Sequence, residues 1–384
     1  MKKIYLLTVA AVLITLLAAS CGQNAPKPTT SNSEATAEQA AEAPQQEVAP
    51  IDEPNATVYA VGMEIVSSRE FYATIWIDGK PTRLSNKTGS SANSVVVTDD
   101  NTVYVAGMTD GNATLWTIKN NKTTALSLEK KGKYYSERQG EYYETNSVGE
   151  SVFVTPNGEV YVCGMNNAGG SEGKIWKISG TEITSQTLSE MEECESASVN
   201  SLHVTSNGDI YAAGFQCTYS RQWFATLWKN GEMTLLSEKG SDASGIKVTP
   251  KGDIYVVGEA SLSDNYTFGK AAVIWKNKTL QPLTTANAET SADAKDIFIT
   301  ENGDIYVAGY ETTNQTNAHN ATIWKNGQKQ TIQPDANKAS LNTIYVTPGN
   351  NVYVGGYNDS KATIWKNGNP QTLTNGYVYG VFVK

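Results

Sequence analysis

ITENGDIYVAG, residues 299–309, alternates apolar and polar residues on both sides of a short polar turn. Such alternation is typical of β-strands, and the asparagine–glycine pair supplies the positive φ angles of a tight hairpin. Similar stretches stand at 154–164, 204–214, 248–258 and 346–356. A second motif, ATIWKNG at 321–327, has counterparts at 73–79, 225–231 and 362–368. The chain is therefore built from repeats of one hairpin-rich segment.

The repeats define the fold class. Each contains signals for four strands within about 47 residues, a length typical of one β-propeller blade. One tyrosine and one tryptophan each recur seven times, at Tyr59, Tyr104, Tyr161, Tyr211, Tyr255, Tyr306 and Tyr353 and at Trp76, Trp116, Trp176, Trp228, Trp275, Trp324 and Trp365. We therefore expect an all-β protein, a seven-bladed β-propeller with four antiparallel strands per blade and the tryptophans packed between blades.

The C-terminal stretch YVYGVFVK (377–384) is a further strand of the same type. Blade one lacks its innermost strand, because the repeats begin at residues 56–59 directly on a second strand. We expect the C-terminal strand to fill this place beside residues 58–62 and to complete blade one. This pairing closes the ring and removes two exposed sheet edges.

The N-terminal segment has the form of a secretion signal. Two lysines precede an apolar run over residues 4–19, and LAASC (17–21) resembles a bacterial lipobox. We expect residues 1–20 to be a lipoprotein signal peptide, residues 21–55 to be a lipidated Cys21 with a disordered tether, and residues 56–384 to be the propeller. The expected location is the bacterial outer membrane, facing the periplasm or the cell exterior. The alternative is an ordinary secretory signal with an incidental cysteine.

Composition argues against several classes of function. The net charge of −9 and the pI near 5.0 disfavour binding to nucleic acid or to an anionic membrane face, since both require a basic surface. The membrane is then reached through the lipid anchor only. Two histidines offer little material for a metal site or a Ser-His-Asp triad, so we expect neither a metal nor a cofactor.

Three cysteines remain after Cys21. Cys194 precedes the inner strand of blade four and Cys217 follows its second strand. Antiparallel pairing brings the two together, which predicts a disulfide in an oxidising compartment. Cys163 stands where other copies have a small residue such as Ala308, which predicts a buried free thiol.

Loop lengths distinguish the two faces of the predicted propeller. The hairpins of one face keep constant lengths, whereas the loops and blade crossings of the other vary, and binding residues lie preferentially on such loops. The longest crossing carries two tyrosine pairs, and another loop carries an arginine and an off-register tryptophan. The candidate binding residues there are Tyr134, Tyr135, Tyr142, Tyr143, Arg221 and Trp223. The alternative for the tyrosines is a two-stranded arm that only covers the edge of the face.

A second group of candidates lies four positions before the last aliphatic residue of each inner strand. Polar residues recur at this position, which predicts a ring at the mouth of the central channel. Its members are Asn93, Glu150, Asn200, Ser244, Lys295, Asn342 and Tyr379. The ring either converges on a small ligand or holds ordered water.

The repeats also resemble those of a known group of proteins. ATIWKNG and VYVAG are similar to the repeats of bacterial lipoproteins and extracellular proteins with W-K-N-G repeats, and more loosely to the HAF extracellular repeat. The resemblance covers residues 56–384. It implies a secreted propeller and supplies no catalytic residues.

These observations lead to two hypotheses of different classes. The first is a monomeric, membrane-tethered module at the cell envelope, without catalytic residues, that binds or scaffolds a protein or glycan partner through its variable loop face. The alternative is a glycan-active hydrolase or lyase that uses Glu150 with the nearby Asp242, Asp293 and Asp296, because such enzymes employ a pair of carboxylates.

Overall fold

The computed structural model describes residues 50–384 except 137–139, 168–169, 189, 238–239, 264–268, 286, 288–289, 314–317 and 333–337. The predicted signal peptide, Cys21 and the predicted tether up to residue 49 lie outside the described residues. Those that are described belong to one compact unit, and all their regular secondary structure is β-strand. Within them, no helix is long and apolar enough to span a membrane.

The described residues form 29 strands. The first ten are β1 (Val58–Ser67), β2 (Glu70–Ile77), β3 (Lys80–Arg83), β4 (Ser91–Val97), β5 (Val103–Thr109), β6 (Asn112–Lys119), β7 (Lys122–Ser127), β8 (Lys133–Ser136), β9 (Glu141–Glu144) and β10 (Asn146–Val154). The next ten are β11 (Val160–Asn167), β12 (Ser171–Ser179), β13 (Glu182–Thr187), β14 (Cys194–Val204), β15 (Ile210–Thr218), β16 (Trp223–Lys229), β17 (Glu232–Leu235), β18 (Ser241–Val248), β19 (Ile254–Ala260) and β20 (Ala271–Lys276). The last nine are β21 (Thr279–Pro282), β22 (Thr290–Ile299), β23 (Ile305–Thr313), β24 (Ala318–Lys325), β25 (Gln328–Thr331), β26 (Ala339–Val346), β27 (Val352–Asn358), β28 (Lys361–Lys366) and β29 (Asn369–Val383).

The strands pair into several antiparallel sheets. Three sheets are four-stranded meanders, formed by β4–β7, β18–β21 and β22–β25. An eight-stranded sheet contains β10–β17, within which one parallel bridge joins β12 to β14. A seven-stranded sheet contains β26–β29 followed by β1–β3, and β8 and β9 form a separate hairpin. A meander of four consecutive strands thus recurs along the chain.

The W-K-N-G repeat forms a hairpin turn with a structural asparagine. Asn326 (φ 50°) and Gly327 (φ 79°) adopt the left-handed conformation that a two-residue hairpin requires. The Asn326 side chain accepts a hydrogen bond from Ile305 N (2.8 Å) and donates one to Asp304 Oδ1 (2.9 Å). It therefore ties this turn to the start of β23. The equivalent pair of bonds recurs at Asn230, Asn277 and Asn367.

Seven hydrophobic clusters hold the sheets together, and each contains one fully buried motif tryptophan. In one cluster, Trp324 of β24 packs with Ala272 of β20 and Ile297 of β22. Residues 321–324 are buried without alternation, because both faces of their sheet are covered. The tryptophans thus fill the space between consecutive sheets, as the sequence predicts.

The C-terminal strand β29 joins the two ends of the described chain. Its first residues pair with β28, and its last residues pair with β1, where Val383 lies opposite Val58 and Val381 lies opposite Ala60. The backbones of Lys384 and Thr57 exchange two further hydrogen bonds, of 2.6 and 3.0 Å. This is the strand pairing that the sequence predicts for residues 377–384.

A short segment before β1 is bound to the turn that follows β26. Ile51 N donates to Gly349 O (2.8 Å), and Asn351 Nδ2 donates to Ile51 O (2.7 Å). The Glu53 carboxylate accepts hydrogen bonds from Gly349 N and from Asn351 Nδ2, both at 3.0 Å. Residues 51–53, which the sequence analysis assigns to the tether, are therefore fixed to the sheet assembly.

Candidate functional site

A β-bulge interrupts the first strand of each recurring meander. In β10, Gly149 pairs with Gly164 and Ser151 pairs with Cys163, so Glu150 has no cross-strand partner. Register shifts of the same kind occur in β4, β14, β18, β22, β26 and β29. The residues left without a partner are Asn93, Glu150, Asn200, Ser244, Lys295, Asn342 and Tyr379. These bulged residues are the seven ring positions predicted from spacing.

The glycine of each Y-x-x-G motif makes the bulge possible. A Cβ atom on Gly309 of β23 would lie 2.0 Å from Asp293 O of the bulged strand, closer than any side chain tolerates. A bulge bends its strand and re-aims the extra side chain. The motif therefore repeats because every copy needs this close approach of two backbones.

All seven bulged residues line one cavity of about 380 Å³. Three residues further along each strand, the lining becomes largely aromatic, with Phe298, Tyr345 and Phe382 in consecutive contact at ring separations of 5.1 and 4.9 Å. His203 packs edge-on against Phe153, and burial lowers its pKa to about 4, so the ring is neutral. The cavity is thus polar at the bulges and aromatic toward the constant hairpins.

Three of the bulged residues are asparagines that connect neighbouring strands around the cavity. Asn93 donates to Gly149 O (3.0 Å), Asn200 to Ala243 O (2.9 Å) and Asn342 to Val378 O (2.8 Å). Each acceptor is the carbonyl just before the next bulge. The amide NH₂ groups therefore have a structural role.

Two carboxyl groups of the cavity differ in availability. Burial raises the pKa of Glu150 to about 7, against the opposing effect of a 3.1 Å hydrogen bond from Asn93. Burial also raises the pKa of Asp296, whose Oδ2 accepts bonds from Ile344 N (3.0 Å) and Thr343 Oγ1 (3.2 Å). Asp296 therefore holds the next strand in place. Glu150 also faces the cavity but accepts fewer hydrogen bonds from the protein.

Beside each bulge, on the side away from the aromatic end, lies a cross-strand pair that we call a rim pair. Its second-strand member directly follows the motif glycine. The seven rim pairs are Tyr377–Met63, Ser91–Met108, Val148–Met165, Ser198–Phe215, Asp242–Glu259, Asp293–Tyr310 and Ser340–Tyr357. Sequence reasoning missed Glu259, Tyr310 and Tyr357, although their fixed place after the motif glycine was a usable signal.

The rim pairs of β18–β19 and β22–β23 bring charged side chains together. Burial first, and then the charge of Asp293, raises the pKa of Asp242 to about 7. Burial raises the pKa of Asp293 to about 6 despite an ion pair with Lys295. Burial opposes protonation of Lys295, but the Asp293 carboxylate keeps its pKa above the ordinary value.

An arc of aromatic rings continues from this charged group to the cavity. Tyr310 stacks on His319 at 4.9 Å, and Tyr357 Oη lies 3.3 Å from His319 Nδ1. Tyr357 meets Tyr377 edge-on at 5.0 Å, and Tyr377 stacks on the bulged Tyr379 at 6.1 Å. We call these five residues the aromatic arc. It places flat apolar surface beside carboxylates, an arrangement suited to an amphipathic ligand.

The tyrosines of the longest crossing form a separate arm. Tyr134 stacks on Tyr143 at 5.8 Å and Tyr135 contacts Tyr142 at 5.1 Å, across the β8–β9 hairpin. Tyr135 and Tyr142 are 52% and 70% exposed. None of the four lines the cavity, so the structure does not bring them together with the bulged residues.

The remaining loop candidates lie next to a rim pair. Trp223 is 41% exposed and packs on Phe215 with ring centroids 4.4 Å apart. Arg221 adopts a positive φ of 61° in the turn before it. Like the four tyrosines, Arg221 and Trp223 do not line the cavity.

The predicted disulfide between Cys194 and Cys217 is not formed in the structure, where both are free thiols. A second bulge in β14 sets Cys194 opposite Thr218 and Cys217 opposite Ser196. Directly opposed residues share a face of the sheet and adjacent residues do not, so Cys194 shares a face with Thr218 rather than with Cys217. Cys163 is a fully buried free thiol, as predicted.

The described part of the chain contains no group of three or more His, Cys, Asp or Glu side chains arranged to hold a metal ion. No protein-family model matches the sequence, and no curated protein matches it.

Solved structures do match. A protein from Lactobacillus plantarum is 14% identical with a TM-score of 0.51, over 85% of this chain and 99% of that one. At this identity the likeness indicates a shared fold alone. Two β-propeller-like proteins match with lower scores, TolB from Acinetobacter baumannii (14% identity, TM-score 0.40, 71% of this chain and 62% of that one) and YCF48 bound to D1 peptide (12%, 0.39, 75% and 85%).

Proposed function

We propose that this chain is a seven-bladed β-propeller, anchored to the bacterial outer membrane through Cys21, that binds a protein or glycan ligand at the mouth of its central cavity. Residues 1–20 would then be the signal peptide and residues 56–384 the propeller. Residues 21–55 would be the lipidated tether, with residues 51–53 bound to the propeller. No metal or cofactor is part of this proposal.

The arrangement of the hydrophobic clusters supports the closed ring. Each cluster combines residues of two meanders that follow each other in the chain. The seventh combines Trp76 of β2 with Tyr353 of β27 and Ile364 of β28, and so connects the last meander to the first. Seven meanders joined by seven clusters in cyclic order leave no meander with an uncovered apolar face.

One observation carries the binding proposal: seven bulges direct seven predominantly polar side chains into one cavity. Bulges lie preferentially next to functional sites because they re-aim side chains. A purely structural channel needs no buried ionisable group, whereas Glu150 and Lys295 both line this one. A concave site with a few convergent polar groups is the usual form of a ligand site.

The proposal predicts which residues govern capture of an envelope ligand. The full chain carrying Cys21→Ser is immobilised to capture ligands from envelope extract. In a second experiment the same chain is applied to a glycan array. We expect Glu150→Gln to lower capture severalfold, and the exposed control Lys122→Ala to leave it unchanged. Loss of capture in Tyr135→Ala/Tyr142→Ala with full capture by Glu150→Gln would move the site to the tyrosine arm and refute the proposal.

A second candidate function is glycan hydrolysis or elimination. The pKa of Glu150, raised to about 7 by burial, suits a general acid near neutral pH. Release of new reducing ends from envelope glycans by the Cys21→Ser chain, abolished in Glu150→Gln, would support this function. Capture without any product would favour the binding module.

A further inference from the structure

Five charged side chains meet between β18–β20 and β22, and we call them the charged cluster: Asp242, Glu259, Lys270, Asp293 and Lys295. Lys295 forms an ion pair with Asp293, and Lys270 forms one with Glu259. Each lysine is thus matched by one acid. The cluster holds three carboxylates and two ammonium groups, so it lacks one positive charge when all three acids are ionised.

Two carboxylate oxygens of the charged cluster have hydrogen-bonding capacity that the described residues leave wholly or partly unused. The Asp293 side chain is only 7% exposed, yet its Oδ1 receives no hydrogen bond from any residue that the structure describes. Asp242 Oδ1 receives a long bond of 3.3 Å from Asn200 Nδ2, a side chain that lines the cavity. A buried acceptor without a donor destabilises a protein, and a ligand that supplies the donor recovers this loss.

The contacts of Lys295 indicate that an ammonium group fits beside the Asp293 carboxylate. Its ammonium group contacts the Asp293 carboxylate and lies 5.7 Å from the centroid of the Tyr310 ring. A carboxylate beside an aromatic face binds cations by charge and by the ring quadrupole. A second ammonium group, supplied by a ligand, would find the other oxygen of the same carboxylate, which has no donor among the described residues.

We infer that the charged cluster binds the ammonium group of an amino sugar whose ring packs along the aromatic arc. This inference rests on the proposed function and specifies its ligand. A lysine side chain offers the same ammonium group but brings an apolar stem, which would form no hydrogen bonds with Ser244 and Glu150 of the cavity. Sugar hydroxyl groups can donate to and accept from Asn200, Ser244 and Glu150, and sugar rings pack on tyrosine faces.

The protonation behaviour of the charged cluster agrees with this reading. Burial and mutual repulsion raise the pKa of Asp242 to about 7 and burial raises that of Asp293 to about 6, so both bind protons more readily than exposed acids do. A bound ammonium group favours their ionised forms. Binding of an amine that is already protonated should therefore release protons at neutral pH.

The test compares two ligands that differ in the amino group, which is free and basic in one and acetylated and neutral in the other. Calorimetric titration of the full chain carrying Cys21→Ser uses a glucosamine oligomer and the fully N-acetylated oligomer of the same length. We expect the amine to bind at least about tenfold more tightly, a difference of about 1.4 kcal/mol. Titrations in buffers of different ionisation enthalpy should also reveal proton release.

Variants assign the preference to the charged cluster. We expect Asp293→Asn and, independently, Asp242→Asn to abolish the preference for the amine, and the exposed control Asp100→Asn to retain it. Circular dichroism checks that each variant is folded. If Asp293→Asn does not fold, Asp242→Asn provides the test. An N-acetylated oligomer that binds as tightly as the amine would refute the inference.

Two further outcomes separate this inference from the proposed function. A lysine-rich peptide that binds more tightly than the glucosamine oligomer, with the same sensitivity to Asp293→Asn, would overturn the amino sugar in favour of a protein partner. Capture of an envelope ligand that depends on Glu150 but is unaffected by Asp293→Asn would overturn the amine site and leave the proposed function intact.

Discussion

The two halves of the rim are built on the same backbone positions but carry different chemistry. After the motif glycine, the half formed by β1, β5 and β11 has Met63, Met108 and Met165, whereas the half formed by β19, β23 and β27 has Glu259, Tyr310 and Tyr357. We call them the methionine half and the acid–tyrosine half. The backbone frame is the same in every copy, and the residues at a few variable positions determine the chemistry of each half.

The largest expected effect tests whether the two halves share one frame. Trp116 and Trp324 are both fully buried. Trp116 belongs to the β4–β7 meander, in the methionine half, and Trp324 belongs to the β22–β25 meander, in the acid–tyrosine half. We expect Trp116→Ala and Trp324→Ala each to lower the free energy of unfolding by about 3–5 kcal/mol, because each leaves a large cavity between sheets. Urea denaturation measures this. The control is Trp223→Ala, at a site 41% exposed, which should cost less than about 1 kcal/mol. Strongly unequal losses at the two buried sites would contradict the shared frame.

A second prediction concerns the chemical difference. Tyr310 and Met108 occupy equivalent positions in the two halves. We expect Tyr310→Ala to weaken ligand binding by about tenfold, because it removes a face of the aromatic arc, and Met108→Ala to change it less than twofold. Titration with the ligand captured from envelope extract or the glycan array measures both. Equal losses would show that the halves do not differ in function.

A third prediction is a dependence of stability on pH that originates in the acid–tyrosine half. The pKa of Asp242 is raised to about 7 in the folded chain, against about 3.9 for an unfolded aspartate. The folded state therefore holds the proton more tightly, and this contribution to stability is complete below about pH 4 and is lost as the pH rises to about 7.

We accordingly expect the free energy of unfolding to fall over this interval, by at most about 1.4 kcal/mol per pH unit for each such acid. Asp242→Asn should flatten the slope, whereas Ser91→Ala, at the equivalent position of the methionine half, should not. Thermal unfolding at several pH values measures both. An unchanged slope in Asp242→Asn would contradict the assignment.

The fold and the ring of bulged residues were accessible from the sequence because their causes are repeated. Every copy carries a tryptophan and a glycine at fixed positions, and one extra residue at a fixed position of its first strand. The constant spacing from that residue to the last aliphatic position therefore located Glu150 and Lys295 without any coordinates.

The rim pairs and the cysteines were less accessible because they depend on register. Tyr310 and Asp293 are distant in sequence and become neighbours only through the pairing of β22 with β23. Cys194 and Cys217 approach each other as predicted, but the bulge between Cys194 and Ser196 changes which residues share a face. A shift of one residue moves a side chain to the other face, and a spacing argument does not include such a local insertion.

The attachment of residues 51–53 to the turn at 349–351 has a mechanical consequence. The turn follows the end of β26, whereas the rim residue Ser340 lies near the start of that strand. Tension transmitted through the upstream chain would be applied at Gly349 and Asn351, a full strand length away from the rim. Force on the chain before residue 51 would then leave the geometry of the opening undisturbed.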